Sequence, residues 1–207
     1  MRSSPSSRSK PGNVLGARRG RLFVLAGPSG TGKGTIVRRA LDRVPEVALS
    51  VSATTRAPRP GERDGIEYRF VSDAEFDRLI AEGELLEWAD IVGHRSGTPA
   101  GPVVEAIEEG RDVLLEIDVQ GASWVRRRIP EAVLIFLAPP SLEELERRLR
   151  SRGTEDEAAL ARRIATAEHE LAERERFDHV VVNDDLDRAT EEVVAILRGS
   201  PTGGARP

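Results

Sequence analysis

The apolar run Leu22-Phe23-Val24-Leu25-Ala26 leads straight into Gly27-Pro28-Ser29-Gly30-Thr31-Gly32-Lys33, and a segment of helical periodicity follows. This succession constrains the fold more than any other feature of the chain. A short apolar run without alternation reads as a strand buried on both faces, which belongs in a parallel sheet. The G-x-x-x-x-G-K spacing behind such a strand is a phosphate-cradling loop. Its successive backbone N–H groups converge on anionic oxygens, and the next helix adds its positive end. Thr35 to Val44 reads as that helix, with Ile36, Val37, Ala40 and Leu41 on one side and Pro45 as its stop.

Lys33 strengthens this reading. Lys10 and Lys33 are the lysines among 31 basic residues; all the others are arginine. A chain that uses arginine almost everywhere places an ammonium here, where a compact point charge fits between phosphate oxygens and a planar guanidinium does not. One position departs from the usual pattern. Magnesium is ordinarily held by Ser or Thr directly after the lysine, but that position is Gly34 and the hydroxyl comes at Thr35. One helical position is about 100° of rotation, so Thr35 is not expected to inherit the metal contact.

Further strands are expected at 112–118, 133–138 and 179–182. Capping boxes begin at Ser72, Ser141 and Thr154, and a last amphipathic helix spans Ala189 to Arg198. The second box ends at Glu144 and the third at Glu157; beyond it Leu160, Ile164, Ala167 and Leu171 share one face. Strands alternating with helices give an α/β fold with a parallel sheet covered on both sides. Residues 50–71, rich in Pro, Gly and Arg, read as an irregular or antiparallel segment outside that sheet.

Charge is uneven along the chain. Residues 1–20 carry five cations and no acid, and read as a disordered basic tail; 199–207 reads as a second loose tail. The remainder is acidic, which argues against wrapping nucleic acid. No apolar run approaches the roughly 18–20 residues that span a membrane. With no cysteine, disulfides and thiolate metal sites are excluded.

The string Thr54-Thr55-Arg56-Ala57-Pro58-Arg59-Pro60-Gly61-Glu62-Arg63-Asp64-Gly65-Ile66-Glu67-Tyr68-Arg69-Phe70 closely resembles the guanylate kinase signature T-T-R-x-P-R-x-G-E-x-x-G-x-x-Y-x-F. The resemblance runs from about Arg21 to Arg198. It takes in the glycine loop, Glu87-Trp88, Ser96-Gly97-Thr98, Glu116-Ile117-Asp118 with Gln120-Gly121, Ala138-Pro139-Pro140-Ser141, Arg152-Gly153-Thr154 and Val182-Asn183-Asp184-Asp185.

That resemblance implies a P-loop nucleoside monophosphate kinase fold: a core of 21–50 and 104–198, a GMP-binding region at 51–103 and a lid at about 150–166. It implies transfer of the ATP γ-phosphoryl group to GMP or dGMP, with Mg²⁺ as cofactor and a cytoplasmic location. Gly27, Pro28, Ser29, Gly30, Thr31, Gly32, Lys33, Gly34, Thr35 and Asn183 would bind ATP. Ser52, Arg56, Arg59, Tyr68, Glu87, Thr98 and Asp118 would bind GMP, with Arg56 and Arg59 on its phosphate and Ser52, Glu87 and Thr98 on its base. Glu116 would lie near magnesium. Lys33, Arg56, Arg148, Arg152 and Arg163 would carry phosphoryl transfer.

The chemistry of Glu87 suits its role. A carboxylate accepts from both N1–H and the 2-amino group of guanine, donors that adenine does not offer in that arrangement. Ser96 stands where the family commonly carries Tyr, and Arg95 is a candidate to compensate. Two rival readings are a non-catalytic guanylate-kinase-like module that binds a phosphorylated segment, and a kinase for another monophosphate. Lys33 and the intact glycines argue against the first; Ser52, Glu87 and Thr98 argue against the second.

Overall fold

The computed structural model describes residues 18–91, 93–151 and 157–199. Most of the basic tail, the C-terminal tail after Gly199, Arg152 and most of the Thr154 capping box lie outside those residues.

Strand β1 (Leu22–Ala26) is buried along its whole length and sits at the centre of a five-stranded parallel sheet. The other strands are β2 (Ala48–Leu49), β7 (Val113–Glu116), β8 (Val133–Ala138) and β9 (His179–Val182), in the order β2-β7-β1-β8-β9. The expected alternation of side chains divides the core in two. Leu22, Val24 and Ala26 pack on one face with Val103, Ile107, Val119 and Val125. These come from α3 (Ala100–Glu108) and α4 (Val119–Arg128). Phe23 and Leu25 pack on the other face with Ile36, Val37, Val193 and Leu197, from α1 (Lys33–Leu41) and α7 (Leu186–Arg198). Every β1 side chain thus has a partner layer, and the loop after it has a fixed base.

The segment between β2 and α3 builds a second sheet. Strands β3 (Ala53–Thr54), β4 (Arg69–Phe70), β5 (Leu85–Ile91) and β6 (His94–Pro99) take the order β4-β3-β6-β5. Ala53, Phe76, Leu79 and Leu85 form a small core of its own beneath α2 (Asp73–Ala81). Ser72 caps α2 as expected, its hydroxyl accepting from the Glu75 amide at 3.1 Å, while the Glu75 carboxylate turns to Arg69 and Arg78. This sheet docks on α4 of the main domain through Trp88 and Trp124, whose rings meet edge-on at 6.0 Å, and through Arg128, which donates to the Leu85 and Leu86 carbonyls.

Helices α5 (Leu142–Ser151) and α6 (Glu157–Ala172) flank the remaining side, joined through Leu145, Leu149, Leu160 and Ala167. Several boundaries differ from the sequence reading; α1, for one, ends at Leu41 and not at Val44. Strand β7 stops at Glu116, so Asp118 is the N-cap of α4, not a strand residue. Helix α1 starts at Lys33. Helix α7 starts three residues before Ala189, because the Asp185 carboxylate accepts from the Arg188 amide at 2.8 Å and caps it there.

Candidate active site: a cleft between the glycine loop and the second sheet

A cleft of about 520 Å³ lies between the two sheets and α6. Gly27, Ser29 and Lys33 approach it from one side and Ser52, Tyr68, Glu87 and Ser96 from the other. Glu116 and Asp118 lie between them, and Arg163, Thr166 and Glu170 of α6 close the remaining wall.

The glycine loop is shaped by its backbone. Gly27 has φ +152°, and a Cβ there would lie 2.3 Å from the Leu137 carbonyl oxygen. The loop therefore hugs β8 more closely than any other residue permits. Gly32 (φ +92°) is the N-cap of α1. The loop is then braced from inside. Thr31, fully buried, donates from its hydroxyl to the Pro28 carbonyl at 2.8 Å. The buried Asn183 amide donates to the Thr31 carbonyl at 2.7 Å. Lys33 Nζ folds back onto the Gly27 and Pro28 carbonyls at 2.7 and 3.1 Å. The ammonium is thus held at the mouth of the loop, beside the place its amides surround.

Asn183, expected to bind ATP, turns its side-chain amide to the backbone of the loop. Its carbonyl also accepts from Arg148 at 3.0 Å, and Arg148 is held by Glu144 at 2.8 Å. Arg163 reaches across from α6 to the Ser29 hydroxyl at 2.6 Å. Two of the arginines expected to carry phosphoryl transfer are therefore tied to the loop, Arg163 directly and Arg148 through Asn183.

A Cβ at Gly34 would lie 3.4 and 3.6 Å from the two Glu116 carboxylate oxygens. The position directly after the lysine therefore faces Glu116, while Thr35 is exposed on another side of α1. Burial raises the Glu116 carboxyl, and the Lys33 and Arg38 charges oppose that shift.

Across the cleft, Glu87 lies on β5 opposite Thr98 on β6. Both are buried, at 4% and 1% exposure, and the Thr98 hydroxyl donates to Glu87 Oε1 at 2.6 Å. Burial, helped by the Asp118 charge and opposed by the Thr98 hydrogen bond, pushes the Glu87 carboxyl up to about 7. Asp118 accepts from the Gly121 amide at 2.6 Å and so caps α4. It shares the cleft with Glu87.

Arg56 is gripped by Glu62 through two contacts of 2.9 Å, and its guanidinium lies 5.2 Å from the centre of the Tyr68 ring. A carboxylate oxygen pair here occupies the fork that phosphate oxygens match equally well. Arg59 is exposed, and its amide donates to the same Glu62 carboxylate at 2.7 Å. Arg95 does not take the place of the missing Tyr. Its guanidinium is turned to Asp73 and Asp77 of α2 and over the Phe76 ring. Ser96 lines the cleft but donates to the Ala53 carbonyl at 3.3 Å.

Sequence reasoning missed Thr166 and Glu170. Burial raises the Glu170 carboxyl, with Lys33 opposing and Asp118 adding to the shift. The signal was present: Arg163, Thr166 and Glu170 follow an i, i+3, i+7 spacing beside the apolar stripe of α6.

A five-stranded parallel sheet with a glycine loop at the C-terminal end of its central strand, facing a second sheet across a cleft, defines a P-loop kinase of the nucleoside monophosphate class. Residues 19–200 match the family model described as guanylate kinase. A guanylate kinase of Rubrobacter xylanophilus is 57% identical over 187 residues, covering 90% of this chain and 98% of that protein. A guanylate kinase of Nocardia farcinica is 58% identical over 182 residues, covering 87% and 94%. The crystal structure of guanylate kinase from Anaplasma phagocytophilum superposes with a TM-score of 0.72 at 33% identity, covering 91% of this chain and 89% of that one. The chain belongs to the guanylate kinase family.

Proposed function

We propose that this protein transfers the γ-phosphoryl group of ATP to GMP, giving ADP and GDP. The observation that carries this reading is the buried Glu87, held by Thr98, lining the same cleft as the glycine loop. One side holds a polyphosphate through backbone amides and Lys33. The other offers guanine a buried carboxylate acceptor held by Thr98.

The incoming nucleophile is a phosphate oxygen, so no general base is needed. Catalysis is positioning, charge neutralisation and exclusion of water. Lys33 would leave the Gly27 and Pro28 carbonyls for the nucleotide's phosphates. Arg56, released from Glu62, would take the GMP phosphate together with Arg59 and Tyr68. Arg148 and Arg163 would neutralise the transferring group, with Arg152 joining them from the lid. Ser52 would stand with Glu87 and Thr98 at the base.

The residues present fit magnesium. Among the described residues no group of three metal-ligating side chains occurs. Magnesium keeps several waters and takes one or two carboxylates beside nucleotide phosphates. Glu116, which faces position 34 next to Lys33, would supply that carboxylate. Magnesium there would supply positive charge against the phosphates. No described helix is long and apolar enough to cross a membrane, and a cytoplasmic location accompanies this reading.

The test is ADP production from ATP and Mg²⁺ with GMP, dGMP, AMP, UMP or no acceptor in parallel. Turnover with GMP far above the others is expected. Equal rates with AMP or UMP would defeat the assignment of Glu87 to the base, and no turnover with any acceptor would favour a binding module.

A further inference from the structure

Gly121 occupies the first turn of α4, where helical propensity alone favours Ala over Gly by roughly 1 kcal/mol. It needs no left-handed backbone, so its reason must lie in space. A Cβ at Gly121 would sit 2.7 Å from Glu87 Oε2, 3.2 Å from Glu87 Cδ and 3.2 Å from Asp118 Oδ1. The other two helical glycines among the described residues differ. Gly101 meets nothing within 4 Å, and Gly34 meets Glu116 at an ordinary 3.4 Å. Glu87 has little freedom to give way, since it is 4% exposed and its other oxygen is held by Thr98 at 2.6 Å.

We infer that Gly121 is a specificity-determining positioning residue: by lacking a side chain it seats Glu87 Oε2 against the backbone of α4, while Thr98 fixes Oε1, and together they set the attitude of the carboxylate toward guanine. This rests on the reading that Glu87 receives the donors of the base. A methyl group at 121 forces the carboxylate to shift or turn. Two hydrogen bonds to one planar base tolerate such a turn poorly. The atoms nearest such a methyl belong to Glu87 and Asp118, not to the loop that takes ATP.

The experiment uses Gly121→Ala in the full chain, with GMP varied at saturating ATP, ATP varied at saturating GMP, and a thermal melt. kcat/KM for GMP should fall about tenfold or more, chiefly through KM, while KM for ATP moves less than about twofold. Tm should not fall, because Ala suits the helix better than Gly. An unchanged KM for GMP overturns the inference. So does an equal loss toward both substrates with a lowered Tm, which would mark Gly121 as packing alone.

The second arm is Glu87→Asp, which withdraws the carboxylate by one methylene. In that background Gly121→Ala should cost less than about threefold. The same penalty in both backgrounds would show that Gly121 acts on something besides Glu87. Should Gly121→Ala alone fail to fold, the double variant should fold; if it does not, the clash is not with Glu87. Glu87→Gln separates the two levels. If it leaves GMP use intact, the assignment of Glu87 to guanine fails. If it impairs GMP use and Gly121→Ala does not, only the inference about Gly121 fails.

Discussion

In the reading proposed here, the glycine loop at 27–35 and the pocket around Glu87 would hold opposite ends of the reaction by opposite means. The loop is contiguous and offers mainly backbone amides, so it can hold phosphates without regard to the base. The pocket is assembled from Ser52 before β3, Tyr68 before β4 and Glu87 on β5, with Thr98 on β6 bonded to Glu87. It offers side chains, so it can discriminate. The loop is also braced from far away in sequence, by Asn183 and Arg163. The pocket is braced mainly by neighbours across a hairpin. Damage to the loop should therefore harm all turnover, whereas damage to the pocket should harm one substrate.

Lys33→Arg should break the loop side most severely. The ammonium reaches the Gly27 and Pro28 carbonyls within the loop's own compass, and a guanidinium is too wide for it. kcat at saturating ATP and GMP should drop about a thousandfold, roughly 4 kcal/mol of transition-state stabilisation. Retention of more than about a tenth of the activity, a loss under ~1.4 kcal/mol, would sink the point-charge argument.

Glu87→Gln should harm only the pocket side. kcat/KM for GMP should fall by about 2–3 kcal/mol with KM for ATP nearly unchanged; matched losses for both nucleotides would erase the contrast between the two regions. Its pH dependence sharpens the point. The carboxyl titrates at about 7 in the folded protein against an ordinary 4.5, so the folded state holds a proton that the unfolded chain releases between those values. Stability should therefore fall as pH rises from 4.5 through 7, by about 3 kcal/mol in all. Glu87→Gln should remove that slope in melts across this range. In the wild type, kcat/KM for GMP should rise as the carboxylate ionises near pH 7. GMP's own second ionisation near pH 6 affects both proteins alike, so the difference between them isolates Glu87.

Asn183→Ala tests the distant brace. It strands the Thr31 carbonyl, which is buried with its residue, and should cost about 1–2 kcal/mol of stability. KM for ATP should rise with it and KM for GMP should not. If adenine contact were the main role of this amide, KM would rise without loss of Tm.

Thr35→Ala should have the smallest effect. Its hydroxyl is exposed, and Gly34 is the position that faces Glu116. KM for ATP should rise only a few-fold, roughly 0.5–1 kcal/mol. The dependence on free Mg²⁺ at saturating ATP should not move; a large rightward shift would give Thr35 a share of the metal.

The phosphate loop, β1, β8, β9 and the caps at Ser72 and Ser141 were legible because each depends on residues within one turn or one strand of itself. The family likeness, carried by many short motifs in order, pointed to the GMP region as well. What local pattern did not show was the strand character of β5, where Glu87 and Asp90 interrupt an apolar run. Nor did it show that Asp118 caps a helix, that Arg95 turns to α2, or that Glu170 enters the cleft.

The sequence by itself determined the glycine loop proposed to hold phosphates, since seven consecutive residues and the strand before them suffice to shape it. It also determined the α/β order. Only the tertiary structure decided what the side chains of the pocket do. Glu87 is buried because β5 docks on α4 through Trp88 and Trp124, and its carboxyl is raised because that docking removes water and brings Asp118 near. The space it fills exists because residue 121, on a different element, has no side chain. Burial and clearance are properties of pairs of elements, and no one-dimensional pattern carries them.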